Sequence, residues 1–183
     1  MKGMTIFNLI ATTYRGAERH AKRELLTLLA SLGDPTARVR TTFVAGVITA
    51  QTSLDPFTVV SQIAGKYFED AMSLRYLIRV IPIETVTETD VGRIAEAAWK
   101  LAYRIGIQES FRITVEKRRA IIHSIDIIKA VAQKVDRRVD LENPDWIILI
   151  EVIGSTTGVS VLRPNQLFHA LKPQAKPIRE VRL

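Results

Sequence analysis

The chain has 183 residues, 47% of them hydrophobic and 25% charged, enough apolar surface for one medium domain or two small ones. Lys and Arg number 26 against 19 acids, and the net charge of +7 suits a polyanionic partner such as RNA, though it equally serves solubility. No cysteine is present, which excludes disulfides, thiolate metal sites and a thiol nucleophile, and no apolar run approaches the ~18 residues of a membrane span.

Thr5 to Thr12 is rich in β-branched and apolar residues and reads as a strand. Ala17, Ala21, Leu25, Leu28 and Leu32 then recur at helical spacing, with Gly33 placed to end the helix and Pro35 to prevent its continuation. Arg38 to Thr42 and Val44 to Ala50 read as two short strands around Ala45-Gly46. Asp55-Pro56 predicts a helix start, with Phe57, Val60, Ile63 and Ala64 as its buried face. Met72 to Ile83 alternates as a strand does, with Leu74, Tyr76, Ile78 and Val80 on one side. The order β-α-β-β-α-β is that of a ferredoxin-like domain.

Glu84, Glu88 and Asp90 predict an acidic helix entry, followed by a stripe of Val91, Ile94, Ala95, Ala98, Ala102 and Ile105. Phe111 to Val115 reads as a strand. Ser124 is expected to cap a further helix with Ile125, Ile128, Val131, Ala132 and Val135 inward. Asn143-Pro144-Asp145 is turn chemistry. Trp146 to Val152 is an apolar interior strand, and Val159 to Leu162 a last one. The fold class expected is α+β with a mixed sheet. Residues 1–73 form the ferredoxin-like domain, whose last strand runs into a linker to about 83; residues 74–163 form a second α/β domain, and residues 164–183 an extended tail.

From Arg112 to Arg138 eight cations face three acids, most of the chain's excess charge. Lys117-Arg118-Arg119 stands between a strand and a helix, where helix N–H groups also receive anions. Three donors beside a helix end suit a phosphate-rich chain better than one small anion, against the alternative of a solvated charge run. Lys117, Arg118, Arg119, His123 and Ser124 are therefore the main RNA-contact candidates, with Arg112 and Lys129 beside them. Arg15, Arg19, Lys22 and Arg23 share one side of the first helix and form a second candidate cluster.

Catalytic and ligand motifs are not found: His20, His123 and His169 make no metal pair, and no phosphate loop, dinucleotide fingerprint or nucleophile elbow occurs. No cofactor or metal is expected. An enzyme would need His123 working with Asp140 or Glu142, and a protein-interaction module would need no RNA. Trp99 and Trp146 read as packing residues, so recognition through backbone and shape is expected rather than base stacking.

Phe111-Arg112-Ile113-Thr114-Val115-Glu116-Lys117-Arg118, His123-Ser124, Val139-Asp140-Leu141-Glu142-Asn143-Pro144-Asp145, Ile150-Glu151-Val152-Ile153 and Gly158-Val159-Ser160-Val161 together resemble the THUMP domain of RNA-modifying enzymes. Arg79-Val80-Ile81-Pro82-Ile83-Glu84 is similar to the strand leading into that domain, and the likeness covers about Leu74 to Leu162. It is strongest to the stand-alone THUMP proteins that assist tRNA cytidine acetylation. The resemblance implies a ferredoxin-like domain before THUMP, tRNA held near its acceptor stem and 3′ end, and an attached or partner enzyme that acts on it. With about twenty residues after the last strand, the expectation is a cytoplasmic adaptor, not itself an enzyme, whose partners are tRNA and a cytidine acetyltransferase, with another tRNA-modifying enzyme as the alternative and no membrane.

Overall fold

A computed structural model describes residues 6–170, and its chain divides into two compact units of mixed α+β structure. One comprises Leu9–Pro82 with the described residues from Asn165 on; the other comprises Ile83–Pro164 with the described residues before Leu9.

The first unit holds β1 (Leu9–Thr12), α1 (Glu18–Ser31), β2 (Arg38–Thr41), β3 (Val47–Gln51), α2 (Pro56–Glu69) and β4 (Arg79–Pro82). The strands lie in the order β4-β1-β3-β2 and every pair is antiparallel, the ferredoxin-like arrangement. Leu25 and Leu29 of α1 and Val59, Val60 and Ile63 of α2 are buried with Leu9, Ala11, Ile48 and Val80 of the sheet. α1 ends as expected: Gly33 takes φ +111° and the Asp34 N–H reaches back to the Leu29 carbonyl, a Schellman closure. Asp55 caps α2 by accepting from the Thr58 N–H at 2.8 Å.

Two features of this unit differ from the sequence reading. The strand expected from Met72 begins only at Arg79. The reason is Glu24 of α1, whose carboxylate accepts the N–H groups of Arg75, Tyr76 and Leu77, so this backbone is tied to a side chain rather than to a neighbouring strand. The segment assigned to an extended tail also returns to the sheet. β10 (Phe168–His169) pairs with β4 and its Phe168 is fully buried in the core. Residues 171–183, the rest of that expected tail, and the Thr5 end of the first expected strand lie outside the described residues.

The second unit holds β5 (Thr85–Glu88), α3 (Val91–Leu101), β6 (Ser110–Arg118), α4 (Ser124–Lys134), β7 (Arg138–Val139), β8 (Trp146–Ile153) and β9 (Thr156–Leu162). Its sheet runs β5-β9-β8-β6-β7 and is mixed: β6 is parallel to β7 and β8, while β9 is antiparallel to β8 and β5. Of the residues expected as an acidic helix entry, Glu88 ends strand β5 instead, because Thr85 to Glu88 pair with Val159 to Thr156, and Glu84 precedes that strand. Asp90 alone caps α3, accepting from the Arg93 N–H at 2.9 Å. α4 is rotated from the expected phase: Ile127, Val131 and Val135 are buried, and Ile125 is exposed. Ser124 is its first helical residue, not its cap; His123 holds the cap position and makes no side-chain capping bond. No helix among the described residues is long and apolar enough to cross a membrane.

The β2–β3 turn is anchored on α1. The Glu18 carboxylate accepts from the Gly46 N–H at 2.6 Å, and Gly46, at φ +76°, leaves only 2.8 Å between a would-be Cβ and the Thr13 carbonyl oxygen. Gly46→Ala is expected to destabilise the fold by about 2 kcal/mol, from a left-handed backbone plus an immovable clash, measured as a lower denaturant midpoint at unchanged slope.

Candidate nucleic-acid interface

The basic segment is placed by the parallel pairing of β6 with β8. Phe111 to Arg118 run in register with Trp146 to Ile153, so the chain must leave β6 at its carboxyl end, cross over through α4 and return. The crossover opens at residues 119–123, and Gly154 donates its N–H to the Arg118 carbonyl at that same edge. Strand parity then sorts the side chains. Phe111 lies in the core under α3 and α4 with Ile113 and Val115 packed against it, which aligns Lys117 with that face and Arg112, Glu116 and Arg118 with the other.

Lys117 is exposed and its ammonium donates to the Ile122 carbonyl at 3.0 Å, pinning the loop across its own neck. Arg119 is exposed at φ +51°, the one non-glycine residue at positive φ among those described, which is the tight bend that turns the chain off the strand. His123 is exposed and Ser124 half-buried at the start of α4, and Lys129 is exposed in the middle of that helix. Lys117, Arg119, His123, Ser124 and Lys129 thus belong to one loop and the helix that follows it. Ile121 forms the tip of the loop and is 95% exposed, an apolar point among cations.

Arg118 turns elsewhere. Glu116 and Glu151 stand directly opposite each other in the β6–β8 register, and Glu151 is fully buried. Arg118 neutralises them, donating to Glu151 and approaching Glu116 at 3.9 Å. A buried carboxylate facing another needs such a cation. Arg112 also lies apart from the loop, at the other end of β6, with a long contact from its guanidinium to the Leu141 carbonyl at 3.4 Å. Arg15 and Arg19 are exposed and Lys22 half-buried in the first unit, on or just before α1.

Asp140, weighed for catalysis, and Asp145 of the same turn have structural partners. Asp140 accepts from the Glu142 and Asn143 N–H groups, closing the turn before β8. Asp145 accepts from the Ser110 N–H at 2.7 Å and hydroxyl at 2.9 Å, which together hold its carboxyl below the usual range. Asp140 follows β7, which pairs with the first residues of β6, whereas His123 follows the last. Nine strand residues, roughly 30 Å, separate the two ends, so His123 and Asp140 form no dyad. Among the described residues no group of three or more His, Asp or Glu side chains is gathered to hold a metal ion.

The two tryptophans differ from each other. Trp146 is half-buried, donates to Glu109 at 2.7 Å and carries the Arg163 guanidinium 3.8 Å above its ring. That N–H, with those of Gly106 and Arg163, lowers the Glu109 pKa to about 2. Trp99 is 50% exposed, against the packing role expected for it. Its position was legible, since it falls outside the Ile94, Ala95 and Ala98 stripe that turns α3 inward.

A mixed sheet with a basic strand–loop–helix at the carboxyl edge of its parallel pair is the architecture the sequence motifs led us to expect. Residues 88–162 match the family model of the THUMP domain, so the chain contains a THUMP domain, a module that implies RNA binding in the setting of tRNA modification. Over 108 residues the chain is 31% identical to the uncharacterized protein MJ0421 of Methanocaldococcus jannaschii, a match covering 56% of this chain and 30% of that protein. The fold is similar to PH1313 of Pyrococcus horikoshii (TM-score 0.64, 16% identity, 86% of this chain and 55% of that one). It is also similar to TrmN of Thermus thermophilus (TM-score 0.57, 20% identity, 87% and 47%) and to a 4-thiouridine synthetase solved with RNA and ATP (TM-score 0.55, 12% identity, 86% and 42%). The chain spans about half the length of these solved structures, or less, and under a third of its curated relative.

Arg118→Ala is expected to lower stability by about 3 kcal/mol by taking a guanidinium away from the buried Glu151 carboxylate, whereas Arg119→Gly leaves it unchanged because glycine accepts the positive φ. Both are read as denaturant midpoints. Glu109 stabilises the fold above its ordinary value of 4.5, and that contribution fades as the pH falls toward 2. The stability gap between wild type and Glu109→Gln should therefore be widest above pH 4.5 and narrow below it.

Proposed function

We propose that this chain binds tRNA at its acceptor end and presents it to a separate RNA-modifying enzyme, a cytidine acetyltransferase that forms N4-acetylcytidine first among the candidates. On this reading the chain works in the cytoplasm and does no chemistry itself. The observation that carries it is the outward set Lys117, Arg119 and Lys129 on the THUMP domain's crossover loop and helix. Cations at that edge, next to the first N–H groups of α4, suit the phosphates of an RNA backbone. The 4-thiouridine synthetase solved with RNA shares the fold of this chain over 42% of its own length, which supports an RNA-binding reading of the chain as a whole. The non-catalytic reading is supported by His123 and Asp140 lying at opposite ends of β6.

Replacing Lys117 and Lys129 by Ala and Arg119 by Gly spares Arg118 and so separates binding from folding. This variant should bind every tRNA more weakly, with a salt slope smaller by up to ~0.9 for each phosphate it no longer neutralises. Filter binding at two salt concentrations, on intact tRNA and on tRNA lacking its 3′ single-stranded end, checks it. Unchanged affinity and slope would remove this surface from the RNA site. The acetylation role is checked by adding the chain to a cytidine acetyltransferase and tRNA: product should rise with the wild type and not with the variant.

A further inference from the structure

α3 turns Ile94, Ala95 and Ala98 into the core and thereby leaves Trp99, Lys100 and, one turn on, Tyr103 outside. Trp99 is 50% exposed and Tyr103 78%. Two large aromatic side chains left on one exposed strip forgo the free energy of apolar burial, which points to use rather than packing. The Lys134 ammonium stands 5.9 Å from the centre of the Trp99 ring and is held there by Glu96 at 3.0 Å. Lys100 approaches the same carboxylate at 3.7 Å. Arg137 is fixed by hydrogen bonds to the Ile105 and Asp136 carbonyls.

These groups border one open cavity of about 410 Å³, with Trp99, Tyr103, Lys100, Lys134, Asp136 and Arg137 in its wall. That volume lies within the range of small-molecule sites, roughly 300–1,000 Å³. Its chemistry is an aromatic ledge rimmed by three cations against Glu96 and Asp136. Lys100 and Lys134 share Glu96, and an apolar protein surface placed there would desolvate this charged rim without adding an anion to it. A nucleotide offers a flat base for the ring and an anion for the rim.

We propose that this cavity takes one unpaired nucleotide of an RNA, its base stacked on the Trp99–Tyr103 ledge and its phosphate at Lys134 and Arg137. The inference deepens the RNA-binding reading and rests on it. α4 connects the two places: it begins at the basic loop and ends at the cavity, 11 residues or roughly 16 Å later. Recognition then combines phosphate contacts, indifferent to sequence, with a stack that demands an unpaired base.

The test uses the whole chain, a labelled oligoadenylate and a labelled blunt RNA duplex. Affinity is read by fluorescence anisotropy and the ledge by tryptophan emission. Trp99→Ala should weaken oligoadenylate binding ~10-fold and leave the duplex within about twofold, as expected when one base stack is removed. Trp99→Phe should keep most of the affinity, and it serves if the alanine variant fails to fold. Oligoadenylate should quench the wild type and not Trp99→Phe, in which Trp146 alone reports. Equal oligoadenylate affinity for wild type and Trp99→Ala, or quenching that persists in Trp99→Phe, overturns the stack while duplex and tRNA binding still stand. Oligoadenylate binding unaffected by Trp99→Ala together with loss of self-association would assign the ledge to a second copy of the chain. Failure of the wild type to bind oligoadenylate, duplex or tRNA would defeat the RNA-binding reading itself.

Discussion

The parallel pairing of β6 with β8 is the constraint on which the second unit depends. Antiparallel strands can be closed by a short turn, but parallel ones require a crossover, and here the crossover is α4. It must begin at the carboxyl edge of β6 and run back along the sheet. That single requirement sets residues 119–123 at one end of the unit and the C-terminal turn of α4 at the other. It also lays Ile127 and Val131 over Ile148 and Ile150, so the core and the exposed surface of the helix are decided together.

Electrostatics divides the basic run within that frame. Consecutive residues on a strand point to opposite faces, so a Lys-Arg pair at its end cannot present both charges the same way. Arg118 serves the fold by neutralising the facing carboxylates of Glu116 and Glu151. Lys117 and Arg119 remain at the surface, one tied to the Ile122 carbonyl and the other at the bend. The distinction matters for experiment, because removing all three cations together confounds weakened binding with the loss of a buried ion pair.

Much of this was legible in the residues. Asp55-Pro56 and Gly33 mark helix ends that the structure keeps, and the apolar run from Trp146 marks the interior strand. The motifs around Lys117 and Asn143 point to the THUMP domain that the family match finds. What escaped depends on tertiary partners. β5 alternates threonine with valine and glutamate and is a strand only because β9 lies beside it. The late start of β4 follows from Glu24, fifty residues upstream, and β7 and β10 are two residues each, too short for any periodicity. That Arg118 faces away from Lys117 is readable from strand parity, but its buried partner at Glu151 is not. Trp99 escapes a reading by residue type, because its phase on the helix overrules the tendency of tryptophan to pack.

The RNA surface we propose runs outward from Lys117 along α4. Mapping backbone amide chemical shifts of the whole chain during titration with tRNA tests it most directly. The largest shifts should fall within residues 117–137 and at Trp99 and Tyr103, and they should fade as salt is raised. Shifts of comparable size spread over both units, or concentrated on the Asp140 to Asp145 turn with residues 117–137 unmoved, would contradict it.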